Sequence, residues 1–110
     1  YGASMHIVVL ITVPDARMAR RISRALVEKR LAACVSAGGG VSSLFRWEGR
    51  VDTAREVLLI AKSTKGKLPR IVTLVRSMHS YAVPEIIALP VVGGNRAYLD
   101  WIDESIRQPV

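Results

Sequence analysis

His79 and Tyr81 stand two residues apart in MHSYAVPEIIALP, just ahead of Pro84-Glu85 and an apolar run. A histidine in such a place can ligate a metal, bond a small ligand, or brace a turn. A lone histidine carries no spacing that chooses among these. The one cysteine, Cys34, lies in the apolar stretch LAACVS. There a small buried hydrophobe is its ordinary role. A nucleophilic thiol needs a neighbouring base or helix N-terminus to lower its pKa, and spacing reveals neither. No CxxC or HxxxH pattern occurs, so structural zinc is not expected. No paired carboxylates or Ser/His/Asp set stand out, so no catalytic activity is expected. VVGGN before a helix can cradle an anion with backbone N–H groups, although a plain strand-to-helix turn is far commoner. TVPDAR after the first apolar stretch is unlike the Gly-rich, Arg-bearing loop of an acylphosphatase-type enzyme.

Arg17, Arg20, Arg21 and Arg24 recur at i, i+3, i+4, i+7. On a helix they share one face, opposite the stripe of Ala19, Ile22 and Leu26. Several lie in the first turns, where the helix dipole disfavours cations. A solvated helix face is the ordinary reading of such a stripe. Nucleic acid is not an expected partner: RNA binding on a four-stranded sheet needs stacking aromatics, and the first and third strands carry none.

These residues sit in a chain of 110, which suits one domain, taken as 5–110, with YGAS as a remnant ahead of it. Sixteen Lys and Arg against nine Asp and Glu give a net charge of +7, a surface that attracts anions without naming one. A single cysteine forms no intrachain disulfide and fits a reducing compartment. No apolar run approaches a membrane span of roughly 18 residues, and no secretory signal is evident. A soluble, cytoplasmic protein without membrane contact is expected.

HIVVLITV (6–13) is β-branched and stopped by Pro14, a first strand. Asp15 caps a helix over about 16–29. LAACVS (31–36) reads as a second strand, interrupted by a bulge at GGG (38–40) and resumed by VSSLFRW (41–47). Glu48-Gly49 forms a hairpin turn into a long third strand over 50–63. Pro69 opens a helix with Leu68, Ile71, Leu74, Val75 and Met78 on its apolar side. EIIALPV (85–91) is a fourth strand, and Asn95 caps a last helix that buries Tyr98, Trp101 and Ile102. This β-α-β-β-α-β order with an added C-terminal helix is an α+β, ferredoxin-like pattern.

In that pattern both crossover helices cover one sheet face, and the other face should alternate polar with apolar. IVVLI, VLLIA and IIAL are apolar at consecutive positions instead. Burial of one aliphatic side chain contributes roughly 1.5–3 kcal/mol, so the uncovered face is a strong drive to self-association. A short C-terminal helix would cover part of it only.

LVEKRLAACV, SSLFRWEGRV, EVLLIAKS, MHSYAVPEIIALPV and YLDWI together resemble the CutA divalent-cation-tolerance family, from about Ile7 to Ile106. The resemblance implies a non-enzymatic homotrimer of ferredoxin-like subunits that tolerates, and binds, divalent cations, copper foremost, with no organic cofactor. The family is similar in architecture to PII signalling proteins, which bind nucleotides between subunits. Cys34, Trp47, Glu48, Gly49, Lys62, His79, Tyr81, Pro84, Glu85, Tyr98 and Trp101 match family positions. Departures are Phe45 for tyrosine, Ser63 for threonine and Ser80 for proline. Some members place a copper-assigned cysteine and a second histidine where this chain has Ile11 and Met78.

Three roles then stand open for His79. It binds metal, Cu(II) or another divalent cation, with Cys34 or Glu56 brought near by folding or trimerisation. It joins Lys62, Tyr81, Glu85 and Trp47 in an intersubunit cleft for a small anionic ligand, as a PII-like sensor would. Or it braces the turn into the fourth strand of a structural trimeric scaffold.

Overall fold

The computed structural model describes residues 5–108. The expected remnant at 1–4 lies outside them. The elements run β1 (His6–Val13), α1 (Ala16–Glu28), β2 (Cys34–Trp47), β3 (Arg50–Thr64), a short 3₁₀ turn (Lys65–Lys67), α2 (Leu68–Met78), β4 (Ile86–Pro90) and α3 (Arg96–Ile106). The strands form one antiparallel sheet in the order β2-β3-β1-β4, as the ferredoxin-like order requires.

Local chemistry explains most boundaries. The Asp15 carboxylate accepts from Met18 N at 2.8 Å and starts α1. Asn95 does the same for α3 through Ala97 N. Glu48 and Gly49 both have positive φ, 50° and 78°, a two-residue turn whose twist suits a hairpin. Pro90 is tolerated because β4 is an edge strand.

Residues 31–33 are not strand. The chain leaves α1 through Arg30 in the left-handed region, φ 57°. Arg30 N donates to Val27 O and Leu31 N to Leu26 O, which is a Schellman closure. Glycine usually marks that position, and its absence made LAA read as strand. Leu31 is instead buried beside Leu26 in the core.

The core lies between the sheet and α1/α2. Ile7, Val9, Ile11 and Val13 of β1 meet Leu59 and Ala61 of β3 under Ile22, Leu26, Ile71 and Val75. The alternate positions, His6, Val8, Leu10 and Thr12 of β1 and Leu58, Ile60 and Lys62 of β3, point to the other face. α3 covers one end of that face. His6 Nε2 lies 2.9 Å from the Asp103 carboxylate and 3.2 Å from Leu99 O, and Ala33, Ile102 and Ile106 form a small second core. Ile102 is buried as expected, but Tyr98 and Trp101 are each 42% exposed and stack on one another, centroids 5.4 Å apart. The inward line of α3 is Leu99, Ile102 and Ile106. The two rings lie one position off it.

Beyond α3 the second face stays open. Val8, Leu10, Leu58 and Ile60 are half-buried, while Ile87 and Leu89 are 50% and 48% exposed.

Candidate functional site

The glycine run sets up the site. Gly38 pairs with Leu58 and Val41 with Glu56, so one extra β2 residue sits between them. Gly40 adopts φ 75° there. The bulge reverses the alternation of β2. Before it, Cys34 and Ser36 face the open side with Lys62 and Ile60. After it, Ser43, Phe45 and Trp47 do so, beside Glu56, Ala54 and Asp52.

Glu56 is the centre of this patch and is only 7% exposed. Its carboxylate accepts from Ser43 Oγ at 2.5 Å and from Tyr81 Oη at 2.9 Å. Two hydroxyl donors compensate a charge that burial alone would make costly. A carboxylate offers about four acceptor positions, and these two bonds leave some open. Burial, then the hydrogen bond and charge of Glu56, push the Tyr81 hydroxyl up to about 12. The phenol therefore stays a donor through neutral pH.

His79 lies beneath this pair, at the end of α2, and is 9% exposed. Nε2 lies 2.7 Å from Thr12 O, and a carbonyl only accepts, so Nε2–H donates. Nδ1 accepts from Tyr81 N at 3.1 Å. Both ring nitrogens are thus engaged by backbone. The imidazole ties the α2–β4 connection to β1 and, through Tyr81, steadies the Glu56 partner.

Around these groups runs an open groove of about 810 Å³. Its walls include Phe45, Trp47, Tyr81 and Val83. Its charged groups are Asp52, Glu56 and Glu85 against Arg46. A chain of net charge +7 therefore has a groove of acidic balance.

The residues expected from sequence divide. Trp47, Tyr81, Glu85 and Glu56 line the groove. Lys62 does not; it pairs with Cys34 across the strands and donates to Ser36 Oγ at 2.8 Å. Six residues of strand separate Lys62 from Glu56, or about 20 Å. Cys34 shares that distant end, with its Sγ 3.4 Å from Tyr98 Oη. Bonding to Cys34 first, and burial second, push the Tyr98 hydroxyl pKa up. The set His79, Cys34 and Glu56 therefore does not converge within a subunit. Among the described residues no three His, Cys, Asp or Glu side chains form a metal-sized cluster. Ser43, Thr12 and Asp52 are groove residues that sequence reasoning missed. The signal for Ser43 and Asp52 was the bulge, whose effect on alternation assigns them to the Glu56 face.

The CutA1 divalent ion tolerance protein family matches residues 7–105. The chain belongs to that family. Its CutA relatives include the "Divalent-cation tolerance protein CutA" of Thermus thermophilus, 50% identical over 92% of this chain and 98% of that protein. The solved structure of the Thermus protein superposes with a TM-score of 0.90. A CutA structure from Archaeoglobus fulgidus, titled a periplasmic divalent cation tolerance protein, is 41% identical over 94% of this chain and 100% of that one, with a TM-score of 0.91. The chloroplastic CutA 1 of Oryza sativa is 42% identical; this chain spans 58% of its length. The names of the Thermus and Archaeoglobus proteins state cation tolerance, and none of the three names a catalysed reaction. The Archaeoglobus name is periplasmic and the Oryza name chloroplastic. No helix among the described residues is long and apolar enough to cross a membrane.

Proposed function

We propose that this CutA chain, with 5–110 as its single domain, is a non-catalytic, self-associating protein that binds a divalent cation in the Glu56 groove. The observation that carries the reading is the buried Glu56 carboxylate, held by Ser43 and Tyr81, in a groove whose charges balance to negative. The names of its relatives supply the divalent cation.

The donors lining the groove are oxygens, from carboxylates and hydroxyls. Such donors suit Mg, Ca or Mn, whereas Cu(II) prefers imidazole. His79 has both nitrogens committed to backbone, so the copper site expected from sequence has the weaker support. The open face bearing Leu10, Ile60, Ile87 and Leu89 supports assembly, and the homotrimer of the family is the form we assign. A cytoplasmic setting rests on the free Cys34 alone.

A second reading has one observation in its favour. A groove of about 810 Å³ with aromatic walls has the size of a small-molecule site. With Asp52, Glu56 and Glu85 on its walls, its ligand is neutral or cationic rather than the anion a PII-like sensor would take.

Calorimetric titration with MnCl2, ZnCl2 and CuCl2 tests the reading on the wild type, Glu56→Gln and His79→Ala. Binding that Glu56→Gln removes and His79→Ala keeps supports it. Binding that depends on His79 and not on Glu56 restores the imidazole site. No heat with any of the three cations ends the cation reading.

A further inference from the structure

The excess charge of this chain is not spread over it. Segments 15–30 and 65–79, which hold α1, α2 and their caps, carry ten of the sixteen Lys and Arg but only two of the nine Asp and Glu. The rest of the chain carries six basic and seven acidic residues. The helix layer therefore owns the whole surplus.

On α1 the arginines at 17, 20, 21 and 24 are exposed, on the side away from the buried stripe of Ala19, Ile22 and Leu26. Of these four only Arg24 has an acidic partner among the described residues, Glu28 at 3.0 Å. α1 has no acidic residue in its first turn, so beyond the Asp15 cap no side chain of that turn offsets the cations beside the positive end of the helix dipole. α2 lies beside α1 on the same sheet face and adds exposed Arg70 and Arg76. Crowding of like charge is already felt at its start: burial first, and then Arg70, push the Lys67 pKa down.

We infer that this two-helix layer is a docking surface for the phosphate backbone of double-stranded nucleic acid. Charge and shape choose that occupant. α1, of 13 residues, is about 20 Å long, and packed helices lie about 8–10 Å apart. The guanidinium row of α1 and the two arginines of α2 are thus set apart on the scale of the phosphate rows flanking a major groove, about 12 Å wide. Guanidinium forks match phosphate oxygens in pairs. Among the described residues the aromatic side chains belong to the hairpin, the α2–β4 loop and α3, not to this layer. Single strands held by base stacking are therefore not its ligand. Val27 is the one exposed large hydrophobic residue on the two helices, too little to enter a lipid bilayer. The absence of sheet aromatics, which set nucleic acid aside at the level of sequence, bears on stacking and not on phosphate contacts. Association through the opposite sheet face would leave the layer outward.

Fluorescence anisotropy with a labelled 24-base-pair duplex of mixed sequence tests the inference at about 20–200 mM salt, a range in which phosphate contacts are strongly weakened. Wild type is compared with Arg17→Gln/Arg20→Gln/Arg21→Gln and with Arg50→Gln/Arg96→Gln/Arg107→Gln, which removes equal charge elsewhere. The expected result is duplex binding that weakens with salt. The helix triple should bind at least about tenfold more weakly, with a log–log salt slope smaller by about 2–3. The second triple should stay within about twofold. No binding at the lowest salt overturns the inference. So does equal weakening in both triples, or capture of phosphatidylserine vesicles without capture of the duplex.

Discussion

Leu59 and Ile60 are neighbours in β3, alike in size and chemistry, yet they belong to different worlds. Leu59 is fully buried between the sheet and the helices, whereas Ile60 is part of a face that only α3 covers, and only at one end. The two faces of this sheet are nearly equal in apolar content and unequal in cover. A helix layer buries one face. The other has the composition of a core without the second layer that would make it one. That mismatch is the physical ground for the self-association we propose, since contiguous exposed apolar area usually marks an interface. Where the hairpin extends past the bulge, the open face holds Glu56, Ser43 and Tyr81.

The sharpest way to break this comparison is to charge the open face. Leu10→Asp/Ile60→Asp is expected to dissolve the assembly and leave a species near the subunit mass of 12.1 kDa in light scattering. An unchanged mass would mean that the open face is not the interface. The covered face should answer differently. Leu59→Ala is expected to cost about 2–5 kcal/mol in denaturant unfolding, without changing the partners a folded subunit recruits.

Next in size is His79→Ala. It strands Thr12 O and Tyr81 N without their ring partners, an expected loss of about 1–3 kcal/mol. A loss of cation binding with stability untouched would contradict the bracing role. Tyr81→Phe removes one bond to Glu56 and should cost about 0.5–1.5 kcal/mol. It also carries a pH signature. The folded hydroxyl is pushed up to about 12, against about 10 in a free chain. The folded state keeps a proton that the unfolded chain gives up, so this contribution is whole below pH 10 and fades between about 10 and 12. Melting curves over that window should show the wild type losing ground that Tyr81→Phe does not. The smallest effect is expected from Glu28→Gln, which breaks the exposed pair with Arg24 and should change stability by less than about 0.5 kcal/mol.

Much of the fold was legible in local chemistry. Asp15 and Asn95 as caps, Glu48-Gly49 as a turn, Gly38–Gly40 as a bulge and Pro69 in the first turn of α2 each act within a few residues. Such signals survive without tertiary context. Misreadings came where context competes. Arg30 takes a left-handed conformation that glycine usually marks, so sequence pattern alone starts β2 three residues before Cys34. Tyr98 and Trp101 have the pattern of buried residues, as aromatic residues on an amphipathic helix usually do, yet both are exposed. Leu99, Ile102 and Ile106 are the line that α3 turns inward.

The candidate site was legible in part for the same reason. Tyr81 and Glu85 were visible as a local group, as was Trp47 at its hairpin. Their meeting with Glu56 depends on the bulge, which turns Ser43, Phe45 and Trp47 to the Glu56 side. That Lys62 and Cys34 lie at the far end of the sheet depends on register, which no single segment contains. The sequence alone determined the element order, the caps and turns, the surplus of basic charge and the apolar character of both sheet faces, because these follow from residue type and spacing. Only the tertiary structure decided which apolar face is covered, which carboxylate is buried with two donors, and where His79 spends its two nitrogens. Those depend on pairing between segments far apart in the chain, where one residue of register moves every side chain to the opposite face.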